Sequence, residues 1–193
     1  MNPVPEPERP GFSPLEREVY PMAPLIRFTL LALYLALVLP LPFLAPPSLQ
    51  GALAGALPFG LLLVVAATSE RVELDAEGLR VGHPSWSAWL LRRGWSLPWG
   101  RVQGLTPVAT SQGGRVWYVR TAGGEEAGGG RAYLLPQRVA RFDDFLARFS
   151  AATGIETRSV GRISPPWTYQ LLALLCGLLL IGEAVGLLRL PTP

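Results

Sequence analysis

Between Arg27 and Glu70 the chain runs for 42 residues without one charged side chain. A helix needs about 20 apolar residues to cross the hydrocarbon core of a bilayer, so this run is too long for one crossing and of the right length for two. Its middle, PLPFLAPPSLQ, contains Pro40, Pro42, Pro46 and Pro47. Proline removes a backbone donor and clashes inside a helix, which puts the turn of a helical hairpin there. One span is expected over 28–45, kinked or frayed near its far end by Pro40 and Pro42, and a second over 49–67. Another 20 residues between Arg162 and Glu183 are uncharged, and the apolar character continues to Leu188. They predict a third span over 167–188. Buried core helices of a soluble protein are the alternative, and these lengths argue against it.

The residues before the hairpin carry Glu6, Glu8, Arg9, Glu16, Arg17 and Glu18 among prolines. They lack the short apolar stretch and small-residue cleavage site of an export signal, so 1–24 reads as a flexible cytoplasmic arm. Orientation rests on arginine, because the chain has no lysine. Three arginines precede the first span, thirteen lie from Arg71 to Arg162, only Arg189 follows the third span, and the hairpin link has none. Arginine marks the cytoplasmic side. The N-terminus and the middle segment are therefore expected in the cytoplasm, and the hairpin tip and C-terminus across an inner membrane of plasma or thylakoid type.

The chain thus divides into the arm (1–24), a transmembrane hairpin (25–68), a soluble domain (69–160) and a third transmembrane helix (165–189). Within the domain the hydrophobic period changes to two. RVELDAEGLRV alternates Val72 and Leu74, turns through Asp75 to Gly78 and resumes with Leu79 and Val81, the pattern of a hairpin. Further strands are expected at 86–91, 94–98, 101–109, 115–121 and 131–135. In QRVARFDDFLARFSAATG, Val139, Phe142, Leu146 and Phe149 recur at spacings of three and four, one apolar helical face closed by Gly154. The fold class expected is an α+β membrane protein: three transmembrane helices and a small β-barrel or sandwich capped by a C-terminal helix. With apolar faces of its own, residues 70–160 are expected to fold alone.

Leu97, Pro98, Trp99, Val102 and Leu105 form an aliphatic-Pro-Trp motif followed by spaced aliphatics, inside such a domain and beside membrane spans. In this the segment resembles the pleckstrin-homology-like domains of small bacterial membrane proteins, over about half the chain. A two-span hairpin feeding such a domain also resembles the photosystem I assembly factor of cyanobacteria and plastids, from which the third span departs. The resemblance implies a barrel-like interaction domain. Eukaryotic relatives bind phosphoinositides through basic residues between the first two strands, whereas the turn here is the acidic DAEG.

The stretch WSAWLLRRGWSLPWGRV puts four of the six tryptophans and three arginines into residues 86–102. Trp99 belongs to the motif and is expected in the core. For Trp86, Trp89 and Trp95 a core role and an interface role both stand, because indole is large and polar-tipped; with Arg92 and Arg93 they form the candidate interaction surface. A nucleic-acid platform would require clustered positive charge, and only those two arginines are adjacent. The thirteen arginines against nine acids of residues 70–164 suit a face beside an anionic leaflet.

Catalytic, cofactor and metal sites are not expected. One histidine, His83, and one cysteine, Cys176, supply neither a Cys-His pair nor a His/Cys metal set. His83 beside Pro84 reads as a turn residue, and adjacent Asp143 and Asp144 as a solvated helix face. In the spans, Gly51 and Gly55, and Gly182 and Gly186, share an i to i+4 spacing that permits close helix contact; mere tolerance of glycine in lipid is the alternative. Glu183 is an intramembrane carboxylate that requires a partner, hydration or an interfacial position, and the Gln50 amide is the donor expected if the two glycine pairs form a seam. The expected role is non-enzymatic: protein interaction, as an assembly or accessory factor for a membrane complex. A lipid-sensing module and an enzyme of unrecognised type are the alternatives.

Overall fold

A computed structural model of the chain describes residues 17–91, 94–111, 114–122, 131–163 and 165–188. The chain opens with strand β1 (Glu18–Pro21), then enters helix α1 (Pro24–Val38), short helix α2 (Leu41–Leu44) and helix α3 (Pro47–Ala67). Strands β2 (Arg71–Leu74) and β3 (Gly78–Gly82) follow, with helix α4 (Ser85–Ala88), strand β4 (Trp95–Pro98) and a 3-10 turn (Trp99–Arg101). Strands β5 (Val102–Ala109), β6 (Arg115–Thr121) and β7 (Ala132–Leu134) and helices α5 (Phe142–Thr153) and α6 (Pro166–Leu188) complete it. All pairings are antiparallel, in one sheet ordered β1-β2-β3-β4 and a second ordered β5-β6-β7.

Three helical segments, Pro24–Leu44, Pro47–Ala67 and Pro166–Gly186, are long and apolar enough to cross a membrane. The first begins four residues earlier than the sequence suggested and breaks at Leu39 and Pro40, after which Pro42 falls in the first turn of α2. Pro47 then starts α3 in the first helical turn, where its missing N–H costs nothing.

Residues 1–16 of the expected flexible arm lie outside the described residues, and from Glu18 on the expectation is corrected. Residues 18–21 pair with β2 in the register Glu18 to Leu74 and Pro21 to Arg71, and Tyr20 is completely buried. The helical hairpin is therefore inserted between two neighbouring strands of one sheet. A four-residue strand flanked by charges and proline, far in sequence from its partner, has too short an alternation to stand out. The strand expected at 86–91 is also absent. Trp86, Trp89 and Leu90 recur at helical spacing, and the Pro84 carbonyl accepts from the Ser87 and Ala88 N–H groups at 3.0 and 2.9 Å.

The two sheets and α5 share one core. Tyr20, Val72, Leu74, Leu79 and Leu97 come from the first sheet, Trp117 and Val119 from the second, and Phe142, Phe145 and Phe149 from α5. The helix starts later than the apolar period implied: Val139 lies in an extended segment and forms an isolated bridge with Met22. Gly154 closes α5 with φ of 72°, a left-handed conformation that suits glycine, and its N–H donates to Ser150 at 2.7 Å.

Among the three long helices α1 is central, packing on both α3 and α6. Thr29 Oγ1 meets the Tyr169 carbonyl at 3.3 Å, and Ala36 and Cys176, each seven residues further along its helix, are both buried. Against α3, Tyr34 donates to the Leu57 carbonyl at 2.6 Å. A Cβ on Gly60 would collide with the Tyr34 ring, so that glycine permits the contact.

Candidate functional site

The tryptophan-rich stretch divides in two. Trp95 stacks on Tyr133 with ring centroids 4.8 Å apart, joining β4 of one sheet to β7 of the other. Trp99 Nε1 donates to the Asp75 carbonyl at 2.9 Å, and the ring meets Phe149 edge-on at 5.9 Å. These two belong to the fold. Trp86 and Trp89 lie on the link between β3 and β4 and are 48% and 80% exposed, with Leu90 41% exposed beside them. Trp89 Nε1 donates to the Trp86 carbonyl at 2.8 Å. Arg92 and Arg93 lie outside the described residues.

Two ionic clusters were not legible in the sequence. Glu73, on the face of β2 opposite Val72 and Leu74, is only 4% exposed because Arg17 and Arg71 cover it, at 2.7 and 2.9 Å. Arg80 is its cross-strand partner. An open cleft of about 150 Å³ there is lined by these side chains with Gly82 and His83. His83 is part-buried, and its Nδ1 has no hydrogen-bond partner among the described residues.

In the second cluster Tyr20 Oη donates to Asp144 Oδ2 at 2.6 Å, with Arg141 and Arg148 beside the same carboxylate. The hydrogen bond from Tyr20, followed by the charge of Arg148, holds the Asp144 carboxyl below its ordinary range; burial, then the bond to Asp144, raises the Tyr20 phenol above its own. Asp144 is thus a tie between α5 and β1, not part of an idle solvated face. Asp143 is exposed and meets Arg162 at 3.4 Å.

The glycine seam is not present. A Cβ at Gly51, Gly55, Gly182 or Gly186 would meet nothing within 4 Å, and all four glycines are exposed. Spacing fixes a helical face but not the direction in which that face points, and the central position of α1 turns these faces outward. Gln50 does not serve Glu183: its Nε2 donates to the Ala45 carbonyl at 3.1 Å, closing the turn between α2 and α3. Glu183 is part-buried, and its Oε2 has no hydrogen-bond partner among the described residues.

At the junction of domain and helices, Ala23 N–H donates to the Arg138 carbonyl and Ala140 N–H to the Pro21 carbonyl, both at 2.8 Å. Gln137, buried, donates to the Gly161 and Arg115 carbonyls at 2.7 and 3.3 Å. An open, mainly apolar cleft of about 200 Å³ lies here, walled by Met22, Val116, Leu135, Val139 and Ile163. No group of three or more His, Cys, Asp or Glu side chains is placed to hold a metal among the described residues.

A cyanobacterial protein, "Uncharacterized protein slr0269" of Synechocystis sp., is 42% identical over 179 residues, which cover 90% of this chain and 87% of the relative. No family model matches the chain, and no solved structure matches it.

Proposed function

For a chain that belongs to the family of this Synechocystis protein, we propose a non-enzymatic role: an integral membrane protein that presents a cytoplasmic pleckstrin-homology-like interaction domain and serves as an assembly or accessory factor for a membrane protein complex. The observation that carries the reading is how tightly the domain is seated on its helices. A domain that needed only an anchor would hang from a flexible linker. Here α1 leaves two residues after β1 ends, α3 returns to β2 within a few residues, and segments 21–23 and 138–140 are joined by backbone hydrogen bonds. The domain's surfaces are held at one height and orientation above the bilayer, which is what repeated docking to a membrane-embedded neighbour requires. The seven antiparallel strands among the described residues, the first separated from the rest by the hairpin, and the helix that follows them suit the pleckstrin-homology-like arrangement. Cross-linking in the intact membrane, mild extraction and mass spectrometry are expected to recover a reproducible set of membrane-complex subunits joined through the domain. Recovery of self-links alone would overturn the role.

The arginine distribution orients the chain with the domain in the cytoplasm. In a Cys176→Ala background, single cysteines at Ser48, Ser111 and Thr192 are expected to react with an impermeant reagent from outside intact cells only at 48 and 192. Reaction at 111 would reverse the orientation.

A further inference from the structure

We propose that the link between β3 and β4 is an interfacial anchor that seats Trp86, Trp89 and Leu90 in the headgroup–acyl boundary of the leaflet from which the three helices descend; this rests on the membrane-spanning reading above. Strand register supplies the geometry. Pro21 pairs with Arg71, and Arg71 with Gly82, so the end of β1, the start of β2 and the end of β3 lie along one edge of the sheet. Helices α1 and α3 leave from that edge, and so does the link. Adjacent strands are about 4.8 Å apart, which keeps the link within roughly 10–15 Å of the hairpin's roots.

The link is closed at its neck, because a Cβ on Gly94 would strike the Val81 backbone and Gly82. It therefore leaves and returns at nearly one point and projects past the sheet edge. Among its described residues the large exposed side chains are Trp86, Trp89 and Leu90, and Trp is the residue that concentrates at membrane–water boundaries. The indole donor of Trp89 is already satisfied by the Trp86 carbonyl, so moving it out of water strands no polar group.

Charge at the same edge agrees. Arg71 stands in the edge register with Pro21 and Gly82 and next to Glu70, with Arg80 further up β3 in the cleft around Glu73, and Arg27 is exposed in the first turn of α1. Arg71 and Arg27 thus lie on the side of the sheet from which the helices leave, where anionic headgroups complement them. The apolar surface of the link thus continues the boundary set by the helices, which favours lipid over a protein as its occupant.

The test uses the full chain in nanodiscs of phosphatidylglycerol and phosphatidylcholine, in a Cys176→Ala background, with a fluorophore on one cysteine at a time. Leu90→Cys reports on the link and keeps both tryptophans. Glu77→Cys, in the turn at the opposite end of β2 and β3, reports water. Phe59→Cys, on an exposed face of α3, reports lipid. Brominated lipids are expected to quench positions 59 and 90, and iodide to quench position 77 several-fold more than position 90. Adding Trp86→Ala and Trp89→Ala is expected to raise iodide quenching at 90 toward that at 77. Lipid quenching at 59 but not at 90 would overturn the anchor and leave the spans intact, whether iodide reaches 90 or protein shields it from both quenchers. No lipid quenching at 59 would overturn the membrane-spanning reading itself, and the anchor with it.

Discussion

A polypeptide of residues 70–160 is expected to remain unfolded, whereas one that joins residues 17–23 to 69–162 through a short Gly-Ser linker in place of the hairpin is expected to unfold in a single cooperative transition. The difference is β1. Tyr20 is fully buried, its ring lies 5.6 Å from Phe145, and its hydroxyl binds Asp144. Losing one buried aromatic side chain costs about 3–5 kcal/mol, and removing the strand also strips four residue pairs from β2. Small domains have only about 5–15 kcal/mol to lose. The linker is short because Pro21 and Arg71 are already cross-strand partners, and Met22 and Ala23 are retained because both pair with segment 138–139. Circular dichroism against temperature distinguishes the two. A cooperative transition in 70–160 at the same midpoint would show β1 to be dispensable, as the apolar faces of that segment alone suggest.

What the sequence disclosed tracks how local each signal is. The three long apolar helices follow from length and lack of charge, and β6 falls at the expected residues 115–121 because RVWYVRT alternates cleanly between two surfaces. Gly154 closes α5 through its own backbone freedom. Apart from the short helix at Ser85–Ala88 and the later start of α5, the failures are relations between distant segments. Nothing near Tyr20 indicates a partner more than fifty residues away across the hairpin. The burial of Glu73 depends on two arginines closing over it, and polar alternation alone would place it in water. The i to i+4 glycines are real features of α3 and α6, but their direction is set by α1 lying between, and the close contact uses Gly60 instead. The four tryptophans of one stretch divide between core and surface because Trp95 and Trp99 have partners, Tyr133 and Phe149, that only the fold brings near.

Phe149→Ala is expected to lower the stability of the linked soluble domain by about 3–5 kcal/mol. For a domain near 100 residues that amounts to a fall in the thermal midpoint of roughly 15–30 °C. The ring is fully buried and lies where the chain passes from the first sheet to the second, edge-on to Trp99 and 6.3 Å from Phe145. Trp99 in turn holds the Asp75 carbonyl through its indole N–H, so a cavity at 149 loosens both the seat of α5 and the turn between β2 and β3. Phe142→Ala, at the other end of the same apolar face and 1% exposed, should show a loss of the same order. Ala151→Ser, on the exposed face, should stay within about 0.5 kcal/mol. If Phe149→Ala and Phe142→Ala are equally silent, α5 is not docked in solution and its apolar face is free for a partner. If they are costly, the helix is part of the core, and recognition falls to the surfaces around it.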